Sequence, residues 1–448
     1  MPDIAPESTV NQHYLNKVID LSDEMHVEAS EDIFDARGNK LLAKGARVSR
    51  ALQERLIVHK LKKPLEACIV VEGGIDTTSI LQAAERLATT CGPLAHILAD
   101  KRIAGPSATT VLSHLRFGSA MGMMLTIAER QGAGALDHAV MVGLLSIHIA
   151  AKAGLPENEQ AVAGLAGLLH DVGELYIDPA YLEQGKRLQP QEWTHLVVHP
   201  HTGGMLISQL EDFAPAVAQA VSEHHERFDG SGFPRRNKGD AISAAGQIVA
   251  IAELIASVID RDHPLERAAL SLKIIPGEHA RPLLTAISGT LRGYVAVQED
   301  MDICYRLTGD NVIELVARID YALRMAKEMV AMAAPLAFRT RELLKATVER
   351  LEKIKRAVIS SGLDMAPLME ATPMNSGDAA MLFEQKFASH ELHCRMRDLA
   401  RDLALHDAQS QDQPMLLPLI KLLDGDKAAS APTSGTAAAN DATLPLTA

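Results

Sequence analysis

The stretch SEHHERFDGSGFP, residues 222–234, sets two imidazoles side by side, follows them with a carboxylate, and ends in a glycine-rich turn closed by proline. Adjacent side chains on a helix diverge by about 100°, so His224 and His225 make a poor core stripe. Imidazoles at a helix end are better suited to a transition metal. A second stretch, GLLHDVGELYIDP from residue 167, runs an apolar helix into His170-Asp171 and then Gly173. An adjacent imidazole and carboxylate can hold one metal, or the carboxylate can bridge two. QEWTHLVVHPHTGG adds His195, His199 and His201, and LDHAVMVG places His138 near the start of its own helix. With His148, all of these fall between residues 138 and 225, in a chain with eighteen histidines. A lone histidine is ordinarily a core or surface residue. Clustered at helix ends beside Asp, Gly and Pro, these point to a metal site.

At 448 residues the chain exceeds one ordinary core, and two or three domains are expected to carry that site. Hydrophobic residues make up 47%, charged residues 23% and aromatic residues only 3%, a balance that favours helices over β-sandwiches. The net charge of −13 argues against nucleic-acid binding. It leaves room for a small anionic ligand, whose binding depends on local field. Cys68, Cys91, Cys304 and Cys394 form no CxxC and are expected to be idle reduced thiols. The N-terminal MPDIAPESTVNQHYLNK has no basic-then-apolar leader pattern, and apolar runs such as AVMVGLLSIHIAAKAGL are read as too short or too polar for a membrane span. The expectation is a cytoplasmic protein.

The fold class expected is mainly α, in five segments. Residues 1–75 read as a small α+β module, loose over about the first fifteen residues, with DARGNK turning between two short strands. Residues 76–132 read as a helical connector whose Met121, Met123 and Met124 fill core. Residues 133–305 carry the motifs. Residues 306–425 are helical and coiled-coil-like, because VIELVARIDYALRMAKEMVAMA and RTRELLKATVERLEKIKRAVISSG repeat apolar residues at i, i+3, i+4. They are expected to serve a homo-oligomer or a protein partner. The low-complexity tail, 426–448, is expected to be disordered.

The motif order resembles the HD-GYP family, metal-dependent phosphohydrolases of the HD superfamily that act on cyclic di-GMP. An upstream His138, then HDxG at His170, Asp171 and Gly173, then HPxxG at His199, Pro200 and Gly203, then HHExxDGxG-aromatic-P from His224 to Pro234, follow the family's order and spacing over about 150 residues. The resemblance implies an all-helical HD domain, with metal ligands His138, His170, Asp171, His199, His224, His225 and, further on, Glu253. It implies two divalent ions, iron or manganese foremost, and cyclic di-GMP or a related nucleotide as substrate, hydrolysed to pGpG or GMP. Asp171, Glu174 and Asp229 would stand nearest the chemistry. Phe233, Arg235, Arg236 and Arg261 would meet the substrate, with Lys238 and Arg267 as further nearby cations. His148, His195 and His201 are read as structural.

The chain departs from the family pattern at defined positions. HDxGK becomes HDVGE, so Glu174 replaces a phosphate-facing lysine. The later metal-binding aspartate is Glu253, its companion aspartate is Ala256, and the GYP tyrosine is Phe233. Members with three metals have a glutamate where this chain has Gly134, so two metals are expected. The family's Arg-rich stretch is here SVIDRDHPLER. These losses keep a second expectation open, a catalytically degenerate signalling scaffold or nucleotide sensor.

Overall fold

The computed structural model describes residues 10–100, 105–183, 188–190, 192–294, 309–363, 378–407 and 412–425. The chain divides into two compact units, Met1–Cys304 and Tyr305–Ala448. The first opens with α1 (Gln12–Glu24), which begins inside the stretch expected to be loose. Asn11 caps it, its side-chain oxygen accepting the Tyr14 N–H at 3.0 Å. Tyr14, Leu15, Val18 and Ile19 give it a fully buried face, which outweighs the polar composition around them.

Two short antiparallel pairs follow. Strand β1 (Val27–Ala29) pairs with β4 (Ile69–Val71), Val27 opposite Val71, and β2 (Ile33–Phe34) pairs with β3 (Lys40–Leu42). The intervening DARGNK turn closes on Asp35, whose carboxylate accepts the N–H groups of Arg37 (2.9 Å) and Asn39 (2.8 Å). A short α2 (Gln53–Val58) completes the module.

The connector supplies α3 (Thr77–Thr90), α4 (Gly92–Leu98), α5 (Ala108–His114) and α6 (Ser119–Gln131). Then come α7 (Ala135–Lys152), α8 (Glu157–Leu168), α9 (Trp193–Leu196), α10 (His199–Leu210), α11 (Pro215–Glu223), α12 (Ala244–Ala256), α13 (Pro264–Ser271) and α14 (Arg281–Ser288). Helix α7 is the central post, packed against α3, α5, α6, α8 and α12. By length and composition it is the one helix among the described residues able to cross a membrane, which corrects the reading that every apolar run falls short. It is 67% buried within the unit, as a core helix is.

One hydrophobic core runs from Tyr14 to Leu291. The segments 1–75, 76–132 and 133–305 therefore share a core and are not separate bodies. The boundary expected between residues 132 and 133 falls in a turn between α6 and α7, which pack on each other.

The second unit holds α15 (Gly309–Ala331), α16 (Phe338–Ser360), α17 (Asp378–Asp407) and α18 (Gln413–Asp424). Helix α15 packs against α16 and α18, and α17 against α16 and α18. Leu315, Ile319, Leu344, Leu351, Leu392, Leu399 and Leu419 are all buried, each contributing roughly 1.5–3 kcal/mol. Most of the apolar stripe that raised the expectation of a partner is thus covered inside the unit itself, while Ile313, Met332, Phe338 and Ile359 stay exposed. Cys304 and the tail 426–448 lie outside the described residues.

Candidate metal centre

Helix α8 stops at Leu168 and the chain turns through His170 and Asp171 into a 3-10 turn, Val172–Tyr176. A Cβ on Gly173 would stand 2.1 Å from the carbonyl oxygen of His199. Only glycine lets this turn lie against the first turn of α10, and that approach brings Asp171 to His199. A Cβ on Gly232 would meet the Arg227 nitrogen at 2.3 Å and the His225 oxygen at 2.4 Å. The glycine lets the chain fold back so that the Phe233 N–H donates to the His225 carbonyl at 3.1 Å. The two motif glycines therefore act by close approach.

Four helix ends converge at this place. His138 comes from the first turn of α7, His199 begins α10, His224 caps α11, and Glu253 sits in the last turn of α12. His170 Nε2 lies 2.9 Å from Asp171 Oδ2 and 3.2 Å from Glu253 Oε2, and His138 Nε2 lies 2.9 Å from that same Oε2. The other carboxylate oxygen, Asp171 Oδ1, stands 3.5 Å from His199 Nε2 and 3.6 Å from His224 Nε2. The His199 and His224 Nε2 atoms are 3.3 Å apart. The His225 ring lies 4.1 Å from that of His224 and 5.0 Å from that of His199.

The donor atoms form two groups, Asp171 with His199, His224 and His225, and His138 with His170 and Asp171, in each of which they lie within 4.8 Å of one another. Asp171 belongs to both. Glu253 lies against the second group through the contacts just given.

The histidines are oriented for lone-pair donation. Nδ1 of His170 bonds the Gly167 carbonyl (2.8 Å), Nδ1 of His199 that of Leu196 (2.8 Å), and Nδ1 of His224 that of Val221 (2.7 Å). A carbonyl accepts only, so each Nδ1 carries a proton and each Nε2 is turned inward. All three rings are 2% exposed or less. His170 Nε2 and Glu253 Oε2 are buried without hydrogen-bond geometry to any group, though they face each other. Leaving two such atoms unsatisfied costs stability, and a cation between them removes the penalty. The donor set, imidazole with a few carboxylates, fits a divalent transition metal.

The electrostatics divide the histidines: burial opposes protonation of His170, but Asp171 and Glu253 override it and hold that imidazole well above its usual range, so a cation there would take the place of a proton. Burial pushes His199 down to about 4. Burial, with His224 and His199 adding to it, holds His225 well below the usual range. Both are neutral ligands at pH 7. Burial alone would raise Asp171, but His170, His224 and His199 outweigh it and hold the carboxylate well below its usual range. Burial likewise opposes ionisation of Glu253, and the adjacent imidazoles of His138 and His170 override it. Glu174 behaves oppositely: burial first and the Asp171 charge second push it up to about 8.

Around this centre, Phe233 stacks on His225 at 4.5 Å, and Trp193 meets Phe233 edge-on at 5.4 Å. Asp229 Oδ1 accepts the Ser231 N–H at 3.0 Å, within its own loop. Arg235 reaches His201 (3.3 Å), Arg236 lies on the same loop at φ 58°, and Arg261 is exposed beyond α12. None of the three is shown at the donor clusters. His195 stacks on Tyr181 at 4.4 Å, and His148 is buried within α7, where burial pushes it down to about 4.

Three positioning features were not read from the sequence. Glu226 is 2% exposed, and its carboxylate accepts the N–H groups of Arg235 (2.8 Å) and Asn237 (3.0 Å), fixing the loop after the histidine pair. Trp193 is the second. The third is the grip of α1 on the turn after Asp171. Lys17 Nζ donates to the Glu174 carbonyl (3.4 Å), Asn11 Nδ2 to that of Tyr176 (3.3 Å), Tyr14 stacks on Tyr176 at 5.1 Å, and the Tyr176 hydroxyl donates to Glu66. A glutamate directly after paired histidines was a usable signal for Glu226. No local spacing announces a contact between Lys17 and Glu174.

Comparison with known proteins places these residues in company. Residues 123–273 match the family described as HD domain. A 3'3'-cGAMP-specific phosphodiesterase of Vibrio cholerae is 35% identical over 118 residues, covering 26% of this chain and 23% of that protein. A cyclic di-GMP phosphodiesterase of Thermotoga maritima is 31% identical over 180 residues, 39% of this chain and 47% of that one. Another, of Pseudomonas aeruginosa, is 30% identical over 130 residues, 29% and 31% respectively. The chain spans less than half the length of each of these relatives.

Proposed function

We propose, from the match of residues 123–273 to the family described as HD domain, that this chain is a metal-dependent phosphodiesterase that opens a 3′–5′ phosphodiester of a cyclic guanine dinucleotide, cyclic di-GMP foremost. The observation that carries the reading is the meeting of two donor groups at one carboxylate, Asp171. Asp171 offers Oδ2 towards His170 and Oδ1 towards His199 and His224, the arrangement a bridging ligand needs. His138, His170 and Glu253 would complete one position, and His199, His224 and His225 the other. Two divalent ions at such a pair of positions supply an acidified water and positive charge for the phosphoryl and leaving oxygens.

The chain's own residues do the rest. The backbone carbonyls of Gly167, Leu196 and Val221 keep protons on Nδ1 and thereby turn each Nε2 inward. The Phe233 ring stacks on His225 and is itself braced edge-on by Trp193. Asp229 shapes the loop that carries Phe233 and is not given a step in the chemistry. Iron and manganese suit the donor set. The names of the relatives support a cyclic dinucleotide as substrate and divide between cyclic di-GMP and 3'3'-cGAMP.

One observation favours a second reading, a nucleotide receptor without turnover: the Glu174 carboxyl near Asp171, pushed up to about 8, brings no positive charge to a phosphate. The test is elemental analysis of the purified full chain together with chromatography of cyclic di-GMP and 3'3'-cGAMP incubated with it. A linear dinucleotide or mononucleotide product that disappears on chelation is the expected result. Nucleotide bound by metal-loaded protein with no product would establish the receptor instead.

A further inference from the structure

A cleft of about 470 Å³ opens on the far side of His138 from α8. Ligand pockets typically measure about 300–1,000 Å³, so this one has room for a nucleoside. His138 belongs both to the donor group and to the cleft wall, which puts the cleft at the edge of the metal centre. Gly134 and Ala256, both small, also border it. The opposite wall is built by Leu87, Thr90 and Pro93 of α3 and α4. These connector helices lie outside the matched residues 123–273.

The chemistry of the lining is that of a base site. Pro93 offers half-buried apolar surface to a flat ring, with the nearly buried Leu87, Met141 and Ile259 edging the cleft beside it. Two carboxylates border the cleft. Asp137 is paired with Arg86. Asp260 is exposed and has neither an ion pair nor a side-chain hydrogen bond among the described residues. A free carboxylate only accepts, and a phosphate placed there would be repelled. Guanine is the base whose edge suits it, since N1–H and the 2-amino group are two adjacent donors. Adenine presents one donor and one acceptor on the same edge.

We propose that this cleft is the base subsite of the substrate, with Asp260 as the residue that selects guanine. The proposal rests on the phosphodiesterase reading for the phosphate's position, and on the cleft alone for the base. Helix α3 and the start of α4 then contribute to specificity although they stand outside the HD match.

The test is calorimetric titration of the full chain, with and without added Mn²⁺, using GMP and AMP as probes. Wild type should bind GMP at least about fivefold more tightly than AMP, a bidentate base contact being worth at least about that much discrimination. Asp260→Asn, which exchanges one acceptor for a donor, should lower GMP affinity by a similar factor and narrow the preference. Thr90→Trp, an exposed position on the wall, should weaken both ligands. Both variants should melt at the wild-type temperature. Equal affinity for GMP and AMP, no GMP binding by wild type, or unchanged GMP affinity in Asp260→Asn would each overturn the proposal. Base discrimination intact in a protein that holds no metal and cleaves no phosphodiester would instead overturn the enzymatic reading and leave the subsite standing.

Discussion

His138 and Asp171 differ in what their loss removes. His138 belongs to one donor group only, so His138→Ala should leave the His199, His224 and His225 position filled. The expected outcome is a drop from about two bound ions to about one, as loss of an inner ligand weakens its own site foremost. Elemental analysis against protein concentration checks it, and retention of both ions would show that His138 is no ligand. At this scale the sequence was informative where residue type and spacing suffice. His170-Asp171, His199 and the His224-His225 pair are adjacent motifs whose imidazoles have little other reason to cluster. It was silent where chemistry depends on distant packing. Lys17 is 4% exposed and contacts the Glu174 carbonyl across 157 residues of sequence. Glu174 itself was noticed as an anion in a cation's place. Its surroundings change what Glu174→Lys should do, since a new ammonium would be set near the buried Lys17, which already feels the Glu174 charge.

The element that organises the centre is the turn Val172–Tyr176, held from one side by α10 and from the other by α1. Its far end is fixed by Tyr176, whose hydroxyl donates to the buried Glu66 carboxyl. Burial raises Glu66 above the ordinary carboxyl value. The folded chain therefore holds that proton more tightly than the unfolded chain. The stability this gives is fully present below the unfolded pKa and is lost as pH rises through the raised folded value. Glu66→Gln keeps an acceptor for Tyr176 and never ionises. The variant is expected to melt above wild type at pH 8, with the advantage shrinking towards pH 4.5, as followed by circular dichroism. An advantage independent of pH would mean that Glu66 is not buried as an ionisable group. The helices themselves were readable from period and caps. The start of α1 was not, because its buried face follows from tertiary contacts that a polar flanking sequence conceals.

On the scale of the whole chain, the first unit has one core from Tyr14 to Leu291 and the second buries most of its own apolar stripe. A chain ending at residue 294 is expected to fold, bind metal and retain any phosphodiesterase activity. A chain beginning at residue 76 is expected to be insoluble or to melt much lower, because it loses the partners of α6 and of the turn after Asp171. Expression, melting and metal content of the two truncations check this. The reverse pattern would contradict the shared core. Sequence patterning correctly marked helices after residue 306 but assigned their apolar faces to a partner, since periodicity shows that a face must be covered and not by what.

The bridging role of Asp171 is the central claim, and the metal content of Asp171→Ala measured beside wild type tests it most directly. The account predicts about two divalent ions per chain in wild type and nearly none in the variant, with the fold retained, because one carboxylate serves both donor groups. Full metal content in Asp171→Ala, or the loss of only one ion, would contradict it.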